Sequence, residues 1–113
     1  SRRSARLLIE DMLDCVAKIE RYVGNMRLDQ FLSDPKTCDS VVRNLEVIGE
    51  AAKRVSPETR ERSSAIPWKK MAGVRDILIH RYEDVDLDEV WHTVESDVEI
   101  LYARICALLN EPG

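Results

Sequence analysis

The spacing of its apolar residues constrains this sequence most, because they recur every three or four positions along almost its whole length. An α-helix has 3.6 residues per turn, so this spacing places the apolar side chains on one helix face. The middle of the chain repeats the spacing without a break, at Cys38, Val41, Leu45, Ile48, Ala52 and Val55. No segment alternates apolar and polar residues, as half-buried strands do. The sequence therefore predicts an all-α helical bundle.

Turn and capping residues divide the pattern into about four main helices with short helical insertions. Such residues stand at Gly24-Asn25, Asp34-Pro35, Ser56-Pro57, Pro67 and Asp86. Glu89 follows Asp86 at the spacing of a capping box, which marks the start of the last helix. Only four Gly and four Pro occur among 113 residues, too few for the frequent turns of a barrel or sandwich. A chain of this length folds as one domain.

Composition excludes several classes of protein. Hydrophobic residues make up 44% of the chain and charged residues 34%, which is typical of a globular domain and not of a disordered segment. No apolar run approaches the roughly 18 residues of a membrane span, so we expect neither a membrane nor an exported protein, and a cytoplasmic location. The three cysteines are widely spaced and lack metal-ligand spacing. We expect reduced, buried thiols with no disulfide, metal or cofactor.

Charge is unevenly distributed, although the net charge of −4 alone argues against a nucleic-acid partner. Residues 53–81 carry eight Lys or Arg against three acidic residues, whereas residues 83–99 carry eight acidic residues and no Lys or Arg. The first segment can form a basic face that attracts phosphate groups. Alternatively, the two segments pair with each other as solvated helix faces. The charges alone leave both interpretations open.

The packing of so small a chain suggests a second copy. The first and last helices have broad apolar faces, and a surplus face is most simply covered by the same face of a two-fold partner. We therefore expect a homodimer. Gly73 lies inside a predicted helix, where Gly costs roughly 1 kcal/mol relative to Ala, and its small size would let a partner helix or RNA approach closely. Both tryptophans are expected to anchor the core or an interface.

Arg75 and His80, in the segment GVRDILIHRY, are the best candidates for catalytic residues. Histidine can accept and donate a proton near neutral pH, and arginine presents fixed donors to phosphoryl oxygens. In a regular helix the two side chains diverge by about 140°. They converge only if the helix loosens or ends near His80, or if a second chain completes the site. Alternatively, Arg75 is a structural ion-pair partner.

Neighbouring residues add weaker signals. An apolar run at residues 77–79 precedes the histidine, and we expect it to be buried. Tyr82 lies seven residues after Arg75, so the two would share a helix face. Glu46 and Glu50, one turn apart, are solvated helix carboxylates; alternatively, with Arg43 and Asn44, they line a cleft or bond Arg75.

The segment Arg75-Asp76-Ile77-Leu78-Ile79-His80 fits the Arg-x-x-x-x-His signature of HEPN domains, which are small helical RNA-cleaving modules. With Tyr82 it extends to Arg-x-x-x-x-His-x-Tyr, and the chain thereby resembles the HepT family of bacterial and archaeal toxins. Similar stretches stand in the same order: IEDMLDCVAKIERY, FLSDPKTCDSVVRNLEVIGEAAKRVSPETRE and IPWKKMAGVRDILIHRYEDVDLDEVWHTVESD. Asp76 departs from the pattern, because Asn is commoner there, and is taken as a supporting residue.

The resemblance implies a single HEPN domain over residues 1–113, working as a homodimer whose two motifs meet in a cleft. It implies a metal-independent endoribonuclease in which Arg75 and His80 are catalytic. It also implies the toxin of a type VII-like toxin–antitoxin pair, silenced when an MntA-like minimal nucleotidyltransferase adenylylates Tyr82. A second hypothesis is a catalytically silent helical homodimer that binds the nucleotidyltransferase. A third is a plain helical bundle.

Overall fold

A computed structural model describes residues 2–111, with the side chains of all of these except Arg2, Arg3 and Tyr82. In chain order its helices are α1 Arg2–Val23, α2 Leu28–Leu32, α3 Pro35–Arg54, α4 Pro57–Arg62, α5 Trp68–His80, α6 Leu87–Thr93 and α7 Glu99–Leu109. A 3₁₀ turn, Tyr82–Asp84, follows α5, and a π-helical segment, Val94–Val98, joins α6 to α7. The described residues contain no strand, and the predicted all-α fold is confirmed. None of these helices combines the length and the apolar composition that crossing a membrane requires.

The helix boundaries lie where the capping residues predict them. Gly24 has a φ of +52°, a left-handed conformation that ends α1. The carboxylate of Asp34 accepts hydrogen bonds from the backbone N–H and the hydroxyl of Thr37, at 3.1 and 2.9 Å. These hydrogen bonds hold the pKa of Asp34 below its ordinary value. Asp86 accepts the backbone N–H groups of the first turn of α6 in the same way.

Helix α3 is the centre of the bundle. It packs against α1 and α5, while α7 packs against α1 and the short α2 lies against α3 and α6. Every residue of the predicted apolar stripe on α3 is buried. Both tryptophans are buried in a single copy: the indole N–H of Trp68 donates to the Ser63 carbonyl oxygen at 3.0 Å, and the ring of Trp91 lies 5.1 Å from that of Phe31. Of the two roles expected for the tryptophans, in the core or at an interface, the structure shows the core role.

The last helix is interrupted where a single regular helix was expected. Val90, Val94 and Val98 follow one another at steps of four. Two such steps overshoot two full turns of a regular helix by about 80°. The π segment Val94–Val98 takes more residues per turn, and Val98 is accordingly buried at 2% exposure. The insertion keeps the apolar stripe of α6 in line with that of α7.

All three cysteines are free thiols. Cys15 and Cys38 are buried, as expected, whereas Cys106 is only partly buried. Burial raises the pKa of the Cys15 and Cys38 thiols. The Cys38 thiol also donates to the carbonyl oxygen of Phe31 at 3.0 Å. Both thiols therefore stay protonated and serve as small core side chains.

Candidate active site

Helix α5 lies unusually close to α3 at Gly49. A Cβ atom at this position would stand 2.1 Å from the Cβ of Arg75 and 2.7 Å from the carbonyl oxygen of Met71. Only glycine allows this approach, and it fixes where Arg75 leaves α5. Gly49 was not among the residues singled out from the sequence. Its position in the middle of a long helix, where glycine is unfavourable, was the available signal.

The side chain of Arg75 is held between two carboxylates from two helices. Its Nη2 lies 3.1 Å from Oε2 of Glu50 on α3, and its Nη1 lies 3.2 Å from Oδ1 of Asp76. The side chain is only 25% exposed, and its buried Nε has no hydrogen-bond partner among the described residues. Glu50 thus pairs with Arg75, as one interpretation held, and its side chain is also 52% exposed, as the solvated interpretation held. Glu46 instead lies 4.0 Å from Arg43.

Asp76 connects Arg75 to a second cation. Its Oδ1, the atom that contacts Arg75, also accepts a hydrogen bond from Nζ of Lys53 at 2.7 Å. Hydrogen bonds from Lys53 first, and then from Arg75, hold the pKa of Asp76 below its ordinary value. The carboxylate is therefore ionised throughout the neutral range. Asp76 contacts Arg75, and its supporting role in the site stays a prediction. The sequence did not indicate that Lys53, at the end of α3, belongs to the same cluster.

His80 is the last residue of α5 and is exposed. The helix stays regular to this point and ends with the backbone N–H of Arg81 donating to the Ile77 carbonyl oxygen at 3.0 Å. No hydrogen bond joins Arg75 to His80 within the described residues. His80 is, however, four residues after Asp76, so both lie on nearly the same face of α5. Because the guanidinium of Arg75 bends toward Asp76, its charged end approaches the face that His80 occupies.

The apolar run before the histidine is not buried as a whole, so that prediction was wrong. Only Leu78 is buried, at 4% exposure, while Ile77 is 60% and Ile79 40% exposed. Successive helical residues turn by about 100°, so three neighbours cannot all face one core. Ile77 shares the outer face of α5 with Gly73, where an added Cβ would meet no described atom within 4 Å. A close approach at Gly73 would have to come from outside this chain.

The two oppositely charged segments meet at a single ion pair among the described side chains. Lys70 Nζ lies 2.6 Å from Oδ2 of Asp97. By contrast, Arg54, Lys69 and Arg81 are exposed and form no ion pair with another described side chain. Mutual pairing thus explains only a small part of the basic segment. Lys53, Arg62 and Arg75 pair with other acidic side chains, so Arg54, Lys69 and Arg81 are the members of this segment left available to solvent or to a polyanion.

Two further expectations concern Tyr82 and metal ions. The backbone of Tyr82 begins the 3₁₀ turn directly after α5, but its side chain lies outside the described part of the molecule. The described residues contain no group of three or more His, Cys, Asp or Glu side chains placed to hold a metal ion.

A small all-α bundle with an Arg-x-x-x-x-His motif on one helix is consistent with a domain of the HEPN type. The HepT-like ribonuclease model matches residues 12–108, and the chain belongs to this family.

Individual relatives cover most of the chain. A probable ribonuclease HepT of Thermococcus cleftensis is 38% identical over 103 residues, 91% of this chain and 94% of that protein. An mRNA nuclease HepT of Shewanella oneidensis is 28% identical over 109 residues, 75% of this chain and 80% of that protein. A protein of Methanocaldococcus jannaschii named "Gamma-glutamylcyclotransferase and putative RNase" is 36% identical over 110 residues, and the chain spans only 50% of its length. No solved structure matches the chain.

Proposed function

We propose that this protein is a metal-independent endoribonuclease in which Arg75 and His80 act on the scissile phosphate. The observation that carries the proposal is the fixed guanidinium of Arg75, held by Glu50 and Asp76 beside the face that carries the exposed His80. Membership of the HepT-like ribonuclease family supports it. So do the names of three relatives: a "Probable ribonuclease HepT", a "Putative RNase" and an "mRNA nuclease HepT".

The proposed reaction needs only a proton carrier and a cation from the protein. The 2′-hydroxyl of the RNA loses its proton, and its oxygen bonds to the adjacent phosphorus. The bond from phosphorus to the 5′-oxygen breaks, and that oxygen takes up a proton. Imidazole groups of His80 accept the first proton and supply the second, while Arg75 stabilises the charge on the phosphoryl oxygens. The products are a 2′,3′-cyclic phosphate and a 5′-hydroxyl.

The active species in this proposal is a homodimer. A single copy leaves His80 without a bond to Arg75, and it exposes Ile77 and Gly73 on the outer face of α5. A two-fold partner on this face would cover the isoleucine and bring a second Arg75 and a second His80 to the same cleft. One histidine can then act as the base and the other as the acid. Basic residues such as Arg81 would attract the RNA backbone to the cleft.

Regulation by a partner enzyme completes the proposal. We place the protein as the cytoplasmic toxin of a type VII-like pair, with an MntA-like minimal nucleotidyltransferase that adenylylates Tyr82. Tyr82 follows His80 by two residues, in the turn after α5. An adenylyl group there would bring bulk and negative charge to the place where the RNA phosphate binds. The resemblance of the motif to that of the HepT family supports this assignment.

The test is RNA cleavage by the purified protein in the presence of EDTA, after mass spectrometry has shown that Tyr82 is unmodified. We expect cleavage that survives metal removal and leaves 2′,3′-cyclic phosphate ends. Strict dependence on Mg²⁺, or 3′-hydroxyl ends only, would contradict the mechanism. If the unmodified protein leaves RNA intact, the proposal that it is an enzyme fails. The second hypothesis, a catalytically silent partner of a nucleotidyltransferase, then remains.

A further inference from the structure

Lys53 stands beside the proposed catalytic arginine, although it lies on another helix and outside the Arg-x-x-x-x-His motif. It belongs to the last turn of α3. Its Nζ donates to Oδ1 of Asp76 at 2.7 Å, and Nη1 of Arg75 donates to the same oxygen at 3.2 Å. Two cations thus share one carboxylate oxygen. Wherever RNA phosphate meets Arg75, the ammonium of Lys53 is close by.

The charges around Arg75 explain why a second cation is needed there. Glu50 and Asp76 both contact its guanidinium, so two negative charges surround one positive charge. A phosphate approaching that group alone would meet a net negative site. Lys53 brings the cluster of four side chains to zero net charge, which removes this repulsion.

The exposure of the two cations differs in the same direction, although each keeps two N–H groups free: Arg75 one on each Nη and Lys53 two on Nζ. Both Nη atoms of Arg75 already contact carboxylates, and its Nε is buried. Lys53 has three donors, of which Asp76 takes one. Its side chain is 41% exposed, compared with 25% for Arg75. Lys53 therefore has both the access and the free donors to bind a phosphoryl oxygen.

From this geometry we propose that Lys53 is a substrate-binding residue of the active site. It binds one non-bridging oxygen of the scissile phosphate while Arg75 binds the other. The inference rests on the proposed ribonuclease function and adds a residue from α3 to a site that the motif places on α5 alone. No covalent step involves Lys53, which acts through charge and hydrogen bonding.

The first experiment compares kcat/KM for RNA cleavage by the wild type, Lys53→Met, Lys53→Arg and Lys36→Met. Lys36 is an exposed lysine at the other end of α3, so its replacement removes the same charge from the same helix. We expect Lys53→Met to lower kcat/KM about 10- to 100-fold, Lys53→Arg to recover most of the loss, and Lys36→Met to leave the rate near that of the wild type. Equal losses in Lys53→Met and Lys36→Met would indicate general attraction of RNA and overturn the inference.

A second measurement separates phosphate binding from mere support of Asp76. The substrate is a short RNA with a single phosphorothioate at the cleaved position, as separate Rp and Sp isomers. If Lys53 binds one non-bridging oxygen, Lys53→Met changes the ratio of the two rates, by about tenfold for the loss of roughly one hydrogen bond. A purely structural role would slow both isomers equally and leave the ratio unchanged.

A third experiment introduces Lys53→Met into the Asp76→Asn variant and compares the double variant with Asp76→Asn alone. If Lys53 acts only by holding Asp76, adding Lys53→Met to Asp76→Asn causes no further loss. We expect a further loss, because the phosphate contact does not require Asp76. A wild type that cleaves RNA alongside an unaffected Lys53→Met overturns this inference and leaves the proposed function intact. A wild type that cleaves no RNA overturns both.

Discussion

Arg75 is already engaged by two carboxylates before any RNA binds. Glu50 and Asp76 fix its guanidinium from two helices, so little side-chain freedom remains to be lost when a phosphate arrives. The same contacts offset its charge. In the proposed mechanism, a phosphate group of the substrate would therefore share these ion pairs without displacing them.

Asp76 makes this arrangement dependent on pH. Its pKa in the folded protein lies below the ordinary value of 3.8, chiefly because Lys53 donates to it. A carboxylate with a lowered folded-state pKa contributes stability that is fully present above its unfolded pKa and is lost as the pH falls through the folded value. We expect Asp76→Asn to lower the Tm near pH 7, with the difference from the wild type disappearing as the pH falls below 3.8. Thermal unfolding followed by circular dichroism across this range measures it. A difference that stays constant down to low pH would contradict the role given to the ionised carboxylate.

Among the helices, the contact between α3 and α5 determines where Arg75 lies. Gly49 lets the two helices approach until its absent Cβ would overlap Arg75 and the Met71 carbonyl group. Gly73, on the outer face of α5, has open space around it instead. Gly49 thus faces a neighbouring helix of the same chain, whereas Gly73 faces away from the bundle.

We expect Gly49→Ala to destabilise the fold by about 1–3 kcal/mol, because the helices must move apart. In Gly73→Ala, the helix should gain up to about 1 kcal/mol from the better helix former. Denaturant unfolding of both variants measures the free energies. A Gly73→Ala variant that is more stable but cleaves RNA more slowly would support a close approach at Gly73 by a partner helix or RNA. A Gly49→Ala variant as stable as the wild type would show that α3 and α5 do not meet as described.

The sequence predicts the helices well because their signals are local. The cap at Asp34 and the stripe on α3 depend only on residues within a turn or two, and both are confirmed. The pairing of Arg75 with Glu50, and of Asp76 with Lys53, depends on how two helices are rotated against each other. Spacing within one helix does not encode that rotation. The sequence could therefore place the motif on α5 and offer Glu50 as one candidate partner of Arg75, but it could neither choose between the interpretations of Glu50 nor indicate the ammonium of Lys53.

In the whole molecule, the face of α5 that carries His80 is also an exposed apolar face. Ile77 is 60% exposed there, next to the open space at Gly73. In the proposed dimer a second copy covers this isoleucine, so that assembly and completion of the site are one event.

Ile77→Glu tests that proposal. The side chain is exposed in a single copy, so the substitution should leave the fold unchanged while preventing association through this face. Light scattering after size exclusion should show a monomer with little RNA cleavage. Ile100→Glu is the control, because Ile100 is also exposed, at 48%, but lies on α7. This variant should remain dimeric and active. If Ile77→Glu remains an active dimer, the interface lies elsewhere.

Comparison of the wild type with His80→Ala tests whether Arg75 and His80 cleave RNA. His80 is exposed and forms no hydrogen bond with another described side chain, so its loss should not affect folding. We expect metal-free RNA cleavage by the wild type and a loss of about 100-fold or more in His80→Ala, the usual effect of removing an acid–base group. Equal cleavage by a correctly folded His80→Ala would contradict it.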